Sequence, residues 1–429
     1  MSTTATTEGG CGCPDYNRGG LTRRRLLKTT AAGTGALVGA QMIGGAFMEA
    51  AYGGTPGGNV VVVVSLRGGA DGLSMLVPRG VDHDRLAGLR PNLVVPESTL
   101  LGADPRFGLH PAFSPLLPMW NAGTFGAVQS VGLPAPNRSH FDAMEEVEDA
   151  DPGSKARVGW INRMIGLDPS AAPQDCVSLG STLLPTSMVG PASVLGAYEI
   201  EDLAVADVGT TAALRRSSLR TMWATDKSVI GAGVRVAMDA TARLAPLVES
   251  ADTAVRTSAY PAGPLAEVLA NTAALIRADV GTRIVAVDYG DWDMHEGQGR
   301  VDDGWFTNHV SHFARSLKAF FADLGTAAAR TTVVTISEFG RRVEENGDGG
   351  TDHGYGNAML LFGAGVAGGT VRGQWPGLAP AALEDGDLAV RHDFRSILWE
   401  VMADRFPGIS SRRAEVFPGF VPETLGVMS

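Results

Sequence analysis

The stretch that decides the fold is NVVVVVSLRGGADG, residues 59–72. Its five consecutive valines form an apolar run that ends at glycines, which is typical of a strand buried on both faces of a parallel sheet. In open α/β sheets, ligands bind in the crevice beyond the carboxyl ends of the strands. Arg67 and Asp71, which follow this strand, are therefore candidate functional residues. The alternative is that Asp71 only caps the next helix.

Strand and helix patterns alternate over the rest of the chain. Further strand patterns cover residues 124–131, 282–288, 331–336 and 358–362, and helix patterns cover residues 305–324 and about 393–404. This alternation implies a mostly parallel central sheet with helices on both faces, that is, an α/β protein. The segment from about 171 to 280 is rich in loops and long helical patterns, and we interpret it as an insertion or cap.

The first 51 residues have the features of a targeting segment. Residues 22–28 read Thr-Arg-Arg-Arg-Leu-Leu-Lys, a twin-arginine motif, and an uncharged stretch rich in alanine and glycine follows. The sequence thus predicts a twin-arginine signal over 1–51 and one exported domain over 52–429, located in the periplasm, the cell envelope or the medium. A retained signal or a membrane anchor is the alternative. No stretch of the mature chain is long and apolar enough to span a bilayer.

Composition limits the possible partners and the means of stabilisation. The formal net charge is −11 and no basic stripe is present, so nucleic acid is not an expected partner. Cys11 and Cys13 precede the signal and would leave with it, so Cys176 would remain alone. The mature protein is therefore expected to rely on its core rather than on a disulfide.

The unusual polar residues lie in four loops that follow strands. These loops contain Arg67 and Asp71; Arg138, Ser139 and His140; Asp291, Asp293 and His295; and Glu338 and Arg341 with Asp352 and His353 beyond them. Imidazoles and carboxylates at one sheet edge suit a divalent metal such as Zn²⁺ or Mn²⁺. Singly, each residue has a simpler interpretation: Ser139, for example, is an ordinary N-cap residue. His309 and His312 lie in the helix pattern and are expected to be packed or solvated.

Six segments carry a resemblance to a known family: LRGGADGL, LHPAF, NRSHFDAM, GDWDMH, TISEFGRR and TDHGYGN. Together they resemble DUF1501, a family of exported bacterial proteins of unknown function that is grouped with the alkaline phosphatase and sulfatase superfamily. The resemblance implies an alkaline phosphatase-like fold, a three-layer α/β/α sandwich. It also implies the chemistry of that superfamily, in which two metal ions and a Ser, Thr or Cys nucleophile hydrolyse phosphate or sulfate esters.

The resemblance assigns roles residue by residue. Asp71 corresponds to the metal-binding Asp at the end of the first strand of the superfamily. Ser139 corresponds to the nucleophile at a helix N-terminus, where an anion is favoured. Asp291 and His295 match an Asp-x-x-x-His motif, with Asp293 between them.

Two alignments remain open for the last motif of the superfamily, Ser/Thr-Asp-His-Gly. In the first, Glu338 takes the position of the Asp and Phe339 that of the ligating His. In the second, Thr351 to Gly354 are the motif itself. In both alignments His353 is a ligand. Phe339 leaves the first alignment one ligand short, unless the loss is made up by one of His140, Asp352 and His392.

The resulting hypothesis is a metal-dependent ester hydrolase with one or two metal ions. In it, Asp291, His295 and His353 hold one metal, and Asp71 and Glu338 hold a second. Ser139 attacks the phosphoryl or sulfuryl centre, and the substrate oxygens are steadied by Arg67, Arg138 or Arg341.

The alternative hypothesis is an inactive hydrolase scaffold. Phe339 favours this alternative, as do the aromatic residues Tyr289, Trp292 and Tyr355, which could stack on a sugar. Such a scaffold would bind a cell-envelope polymer or assist an exported protein partner. Fold alone does not decide between an enzyme and a scaffold.

Overall fold

The computed structural model describes residues 57–181, 183–203, 211–251, 259–302 and 304–429. The twin-arginine signal that the sequence predicts over 1–51 lies outside the described residues. The described strands are β1 (Val60–Leu66), β2 (Leu76–Pro78), β3 (Phe107–Leu109), β4 (Phe125–Gly132), β5 (Cys176–Leu179), β6 (Leu195–Ala197), β7 (Ile284–Tyr289), β8 (Thr331–Ile336), β9 (Asn357–Gly363), β10 (Val371–Arg372), β11 (Leu383–Glu384), β12 (Asp387–Leu388) and β13 (His392–Asp393).

The described helices are distributed along the whole domain. They are α1 (Gly72–Met75), α2 (Val81–Leu89), α3 (Leu117–Asn121), α4 (His140–Asp149), α5 (Trp160–Gly166), α6 (Ala212–Trp223), α7 (Val229–Ala251), α8 (Pro264–Arg277), α9 (Trp305–Leu324), α10 (Phe394–Arg405) and α11 (Arg413–Val416). Short 3₁₀ segments cover Glu97–Thr99, Pro111–Leu116, Pro173–Asp175, Thr186–Met188, Ile200–Leu203, Gly325–Arg330, Pro380–Ala382 and Pro407–Ile409.

Within the described residues, the central sheet has nine strands. Eight lie in the order β10-β4-β9-β8-β1-β7-β5-β6, and β13 pairs with β4. β1 pairs parallel with β7 and β8, and β5 pairs parallel with β6 and β7. β10 and β13 pair parallel with β4, whereas β9 pairs antiparallel with both β4 and β8. The sheet is mostly parallel, as the sequence predicted.

The valine run of β1 lies at the centre of this sheet and is buried on both faces. Val60, Val62 and Val64 belong to the apolar core that contains α8 and α9. Val61 and Val63 belong to the core on the other face, with α4, α5 and α10. Because successive side chains of a strand point to opposite faces, a strand covered by helices on both sides must be apolar throughout. The three-layer α/β/α sandwich is therefore confirmed.

Helix α9 shows how the apolar spacing of the sequence produces the helix layer. Its bounds, Trp305–Leu324, are those that the pattern predicted, and one side of it is buried against the sheet. The ring of Phe313 has no exposed surface. Its centroid lies 6.0 Å from that of Tyr289 and 6.2 Å from that of Phe362, so one side chain joins β7, β9 and α9.

The segment that the sequence assigned to an insertion, about 171–280, contributes to the sheet itself. Strands β5 and β6 lie within it and extend the sheet beyond β7. Helix α8 also belongs to the layer that packs on the sheet. Helices α6 and α7 share a small apolar cluster of their own, formed by Leu219, Trp223 and Met238. The second half of α7 also packs into the main core through Ala240, Leu244 and Leu247, whereas α6 contributes no described residue to that core.

The described helices were also compared with the dimensions of a bilayer. No helix in the described part of the chain is both long enough and apolar enough to cross one.

We predict that Phe313→Ala lowers the free energy of unfolding by about 3–5 kcal/mol, because it removes a buried ring and leaves a cavity between sheet and helix. Urea unfolding followed by circular dichroism measures the change. Phe141→Ala is the matched control, since the Phe141 side chain is 86% exposed, and it should change stability by less than about 0.5 kcal/mol. Equal effects of the two substitutions would contradict the packing described.

Candidate metal centre

Four loops meet at one edge of the sheet. β1, β7 and β8 run parallel, and β4 runs in the same direction because each of β4 and β8 is antiparallel to β9. The loops that follow β1, β4, β7 and β8 therefore start from the same edge. β9 begins at this edge, so the chain between β8 and β9 lies there as well.

Three histidines and one aspartate from these loops form a compact cluster, here called the His-Asp group (His140, Asp293, His295 and His353). The Nε2 atom of His353 lies 2.9 Å from Nε2 of His140 and 2.9 Å from Nε2 of His295. Oδ1 of Asp293 lies 3.0 Å from Nε2 of His295 and 3.2 Å from Nε2 of His353. Oδ2 of Asp293 lies 3.4 Å from Nε2 of His140.

The other ring nitrogen of each histidine faces an oxygen acceptor. Nδ1 of His353 lies 3.0 Å from the backbone carbonyl oxygen of Arg138. Nδ1 of His295 lies 2.9 Å from Oδ1 of Asp352, and Nδ1 of His140 lies 3.2 Å from Oε1 of Glu338. A carbonyl or carboxylate oxygen only accepts, so each Nδ1 carries the proton and donates.

The position of the proton on Nδ1 determines whether the Nε2 atom of each histidine can accept. In a neutral imidazole whose Nδ1 is protonated, Nε2 is an unprotonated acceptor. Burial lowers the pKa of His353, which favours its neutral form. Nε2 of His353 then faces Nε2 of His140, Nε2 of His295 and the carboxylate of Asp293 across about 3 Å, so several potential metal donors surround it.

The donor set fits one divalent metal ion. Zinc binds histidine nitrogens at about 2.0–2.1 Å in a tetrahedron, which puts neighbouring ligand atoms about 3.3 Å apart. The donor atoms of His140, Asp293 and His353 all lie within 4.8 Å of one another and suit one such ion, and His295 adjoins them, with Nε2 2.9 Å from His353 Nε2 and 3.0 Å from Asp293 Oδ1. Histidine ligands that donate their second N–H to a carboxylate or carbonyl are the usual arrangement around a bound metal.

Arg341 holds Asp293 in position. Its side chain is almost completely buried, and Nη2 lies 2.7 Å from Oδ1 of Asp293. Partial burial would raise the pKa of Asp293, but the hydrogen bond and positive charge of Arg341 outweigh it, and that pKa is lowered to about 2. Asp293 is thus an anion at any physiological pH.

Two glycines explain why β1 is followed by Arg-Gly-Gly-Ala-Asp. Gly68 has φ +115°, and a Cβ atom there would lie 2.6 Å from the backbone nitrogen of Asp293. Gly69 has φ +71°, and a Cβ atom there would lie 2.5 Å from the ring of Phe339. Both positions need glycine because of their backbone conformation and because the neighbouring loops approach so closely.

The ring of Phe339 packs beneath the His-Asp group. It is buried, and its centroid lies 4.9 Å from that of His140 and 4.7 Å from that of His353. Phe339, which the first alignment places at the position of a ligating histidine, therefore forms an apolar wall against the rings of His140 and His353.

Asp71 does not join the His-Asp group. Its Oδ2 atom lies 2.6 Å from Nη1 of Arg90 and accepts hydrogen bonds from Ser74 and Gln298. Burial would raise the pKa of Asp71, but Arg90 and these hydrogen bonds lower it. Asp71 precedes α1 but its side chain makes no capping hydrogen bond. The two predicted ligands of the second metal therefore have different partners: Asp71 pairs with Arg90, and Glu338 contacts His140.

The remaining predicted ligands are placed around the group rather than in it. Asp291 contributes no atom to the group; its backbone has φ +65° and its side chain is exposed. Glu338 and Asp352 contact the histidines at Nδ1, on the side away from the centre. Of the predicted carboxylates, Asp293 lies in the candidate group with His140 and His353, whereas Asp291 lies outside it.

None of the three predicted arginines is free in the described part of the chain. Arg67 lies between Glu148 and Asp288, with Nη2 2.6 Å from Glu148 Oε1 and Nε 2.8 Å from Asp288 Oδ2. Arg138 is paired with the buried Asp387 and lies over the ring of Tyr355. Each guanidinium is therefore occupied by a carboxylate, and holding a substrate would require a rearrangement.

Ser139 occupies the N-cap position of α4, immediately before His140. Its Oγ accepts a hydrogen bond of 3.4 Å from the backbone nitrogen of Asp142. The predicted nucleophile is thus an N-cap residue, as the simpler interpretation held, and it is also the residue next to a member of the His-Asp group. The two roles are compatible, because capping uses the oxygen lone pairs and leaves the hydroxyl proton free.

The sequence analysis did not assign two residues that matter at the site, His140 as a ligand and Arg90 as the partner of Asp71. His140 was considered only as a replacement ligand, although its position directly after Ser139 at a helix start was a usable signal. Arg90 lies outside every predicted motif, helix and strand, and no sequence signal connects it to Asp71. His392, another considered replacement, contacts Glu423 instead, with Nδ1 2.7 Å from Oε2.

Comparison with known families confirms the resemblance. The family described as protein of unknown function (DUF1501) matches residues 119–398, and the chain belongs to this family. No curated protein matches the chain significantly.

Three of the matching solved structures align with roughly three quarters of this chain. The C-terminal periplasmic domain of EcEptC from Escherichia coli, in complex with Zn, is 9% identical with a TM-score of 0.32, covering 72% of this chain and 73% of that one. The lipoteichoic acid synthase LtaP from Listeria monocytogenes is 9% identical with a TM-score of 0.30, covering 77% and 74%. The alkaline phosphatase from the Antarctic bacterium TAB5 is 9% identical with a TM-score of 0.26, covering 74% and 94%. Similarities this low carry no inference about function.

We predict that Arg90→Met lowers the free energy of unfolding by about 3–5 kcal/mol, because it leaves the buried carboxylate of Asp71 without its partner. Arg85→Met is the matched control: Arg85 pairs with Asp82 at the surface, and its loss should cost less than about 1 kcal/mol. Urea unfolding of both variants measures the difference. A small effect of Arg90→Met would mean that Asp71 is not held by this ion pair.

Proposed function

We propose that this protein is an exported, metal-dependent hydrolase that binds one Zn²⁺ or Mn²⁺ ion and acts on phosphate or sulfate esters through Ser139. The observation that carries the proposal is the His-Asp group, in which three imidazole nitrogens and a carboxylate converge while every outer nitrogen is held by an acceptor. We propose one metal rather than two because Asp71 is paired with Arg90.

A bound metal would supply a Lewis acid that polarises an ester oxygen. The protein contributes the nucleophile and its surroundings. Ser139 Oγ attacks the phosphorus or sulfur atom and gives up its proton, the ester bond breaks, and the departing oxygen takes up a proton to leave as the alcohol. Water later hydrolyses the seryl ester and restores the hydroxyl of Ser139. The N–H groups of the first turn of α4 and the helix dipole favour the anionic group that Ser139 would carry.

A second candidate function is a scaffold that binds a cell-envelope polymer or assists an exported protein partner. It is favoured by the pairing of Arg67, Arg138 and Arg341 with carboxylates, which leaves none of these guanidinium groups free for an oxoanion. The metal would then have a structural role. Turnover, rather than metal binding, distinguishes the scaffold from the enzyme.

The proposal of export rests on the twin-arginine motif at residues 22–28 and on membership of the family. We propose the periplasm, the cell envelope or the medium as the location. The substrate is accordingly proposed to be a small or polymeric ester present outside the cytoplasm.

We predict that the wild-type protein, purified without chelator, contains about one equivalent of metal per chain and that His353→Ala loses it, because the central ligand is removed. Glu338→Gln and Asp352→Asn should each weaken zinc binding about 10–100-fold, since they only orient a ligating histidine. Elemental mass spectrometry and zinc titration by calorimetry measure these effects.

His312→Ala is the matched control for metal loss. The Nε2 atom of His312 lies 2.9 Å from the carbonyl oxygen of Ala262, and the residue is outside the His-Asp group. Metal content should remain at the wild-type level in this variant. A folded wild-type protein without metal, or equal loss from His312→Ala and His353→Ala, would refute the proposed centre.

We predict that Ser139→Asn abolishes turnover of 4-nitrophenyl phosphate or sulfate while metal content stays unchanged. Asparagine preserves the N-cap of α4 but lacks the hydroxyl, so loss of activity cannot be ascribed to loss of the cap. Steady-state kinetics and mass spectrometry of the trapped seryl ester provide the measurement. Wild-type turnover by Ser139→Asn would exclude the nucleophile, and no turnover by wild-type protein on an ester panel would favour the scaffold.

A further inference from the structure

A cavity of about 620 Å³ opens beside the carboxyl end of β7. Its size is in the range of small-molecule binding sites. Asp291 lines it, whereas Asp293, two residues later, belongs to the His-Asp group. The cavity and the His-Asp group therefore share one turn of the chain but have different lining residues.

The cavity has aromatic residues at its mouth. Trp305 and Tyr198 line it and are 57% and 49% exposed, which is unusual for side chains of this size. Tyr289 lies deeper and is almost fully buried. Aromatic side chains that remain exposed at the rim of a cavity offer their faces to a ligand.

The charged residues of the cavity are all acidic. Glu199, Glu267, Asp288 and Asp291 line it, and no lysine or arginine is among its described lining residues. Asp288 is neutralised by Arg67, which does not line the cavity. Within the described residues, the carboxylates of Glu199 and Asp291 form no ion pair or hydrogen bond. The cavity therefore carries uncompensated negative charge and disfavours a phosphate or sulfate group.

The two histidines of the cavity wall are already engaged. His309 contacts the hydroxyl of Tyr289 through Nδ1 at 3.0 Å and the carbonyl oxygen of Gly290 through Nε2 at 2.9 Å. Burial lowers the pKa of His309 to about 4, so this ring is neutral and does not offset the carboxylates. His312 is held by the carbonyl oxygen of Ala262. These rings form part of the wall and do not converge on a metal.

From the open aromatic faces, the free carboxylates and the volume, we infer that this cavity binds an organic ammonium ligand. Aromatic rings attract a cation over their faces, and unpaired carboxylates complete its neutralisation. This second site is independent of the proposed hydrolase activity, because none of its residues takes part in the His-Asp group.

The test uses the full chain and a pair of probes with the same shape. Choline carries a quaternary ammonium group, and 3,3-dimethylbutan-1-ol is its neutral isostere. We expect choline to bind with 1:1 stoichiometry at millimolar concentration and to change the fluorescence of Trp305, while the neutral isostere does not bind. Added salt should weaken choline binding, because free carboxylates contribute to it.

Variants of the lining residues locate the ligand. Trp305→Ala and Glu199→Gln should each weaken choline binding about fivefold, the ratio that corresponds to about 1 kcal/mol for one such contact. Glu384→Gln, at an exposed carboxylate elsewhere, is the matched control and should have no effect. Removal of metal with EDTA should also leave choline binding unchanged, which separates this inference from the proposed metal centre.

Several binding results would overturn the inference. They are equal binding of choline and its neutral isostere, choline binding that neither lining variant weakens, and the absence of choline binding. Loss of choline binding after EDTA treatment would also overturn it, because the ammonium group would then depend on the His-Asp group. Calorimetry and tryptophan fluorescence together report each of these outcomes.

Discussion

The buried guanidinium of Arg341 connects the loops on which the site depends. It donates hydrogen bonds to the carbonyl oxygens of Gly68, Gly69, Trp292 and Thr351, and to the carboxylate of Asp293. Five donors in one rigid plane can hold several loop segments at once, which no other side chain can do. The sequence analysis assigned Arg341 to the substrate. Its burial shows instead that it positions the loops that follow β1 and β7.

The layers of the fold were predictable because they depend on local apolar spacing. The valine run of β1 and the helical spacing of α9 are each buried on the faces that these patterns require. The composition of the segment 171–280 was less informative. A short strand at one side of a sheet, such as β5 or β6, contains only a few residues and has no pattern distinct from that of a loop.

The membership of the site was predictable only in part. Sequence reasoning located the loops correctly because strand ends meet at one sheet edge. It could not decide which carboxylate lies at the centre, since Asp291 and Asp293 are the same residue type two positions apart in one loop. It also could not foresee that Arg90, directly after α2, would neutralise Asp71. Long-range pairings of this kind depend on tertiary packing and leave no local signature.

The antiparallel strand β9 has a consequence for the order of folding. β8 and β9 are joined by the loop 337–356, which carries Glu338 and His353, so their pairing closes only a short loop. The pairing of β1 with β7 instead closes roughly two hundred residues, at a higher entropic cost. We therefore expect β8 and β9 to gain protection early in pulsed hydrogen exchange. Any folding intermediate that lacks β7 also lacks a docked Asp293 and His295, so the His-Asp group can be completed only after β7 pairs with β1.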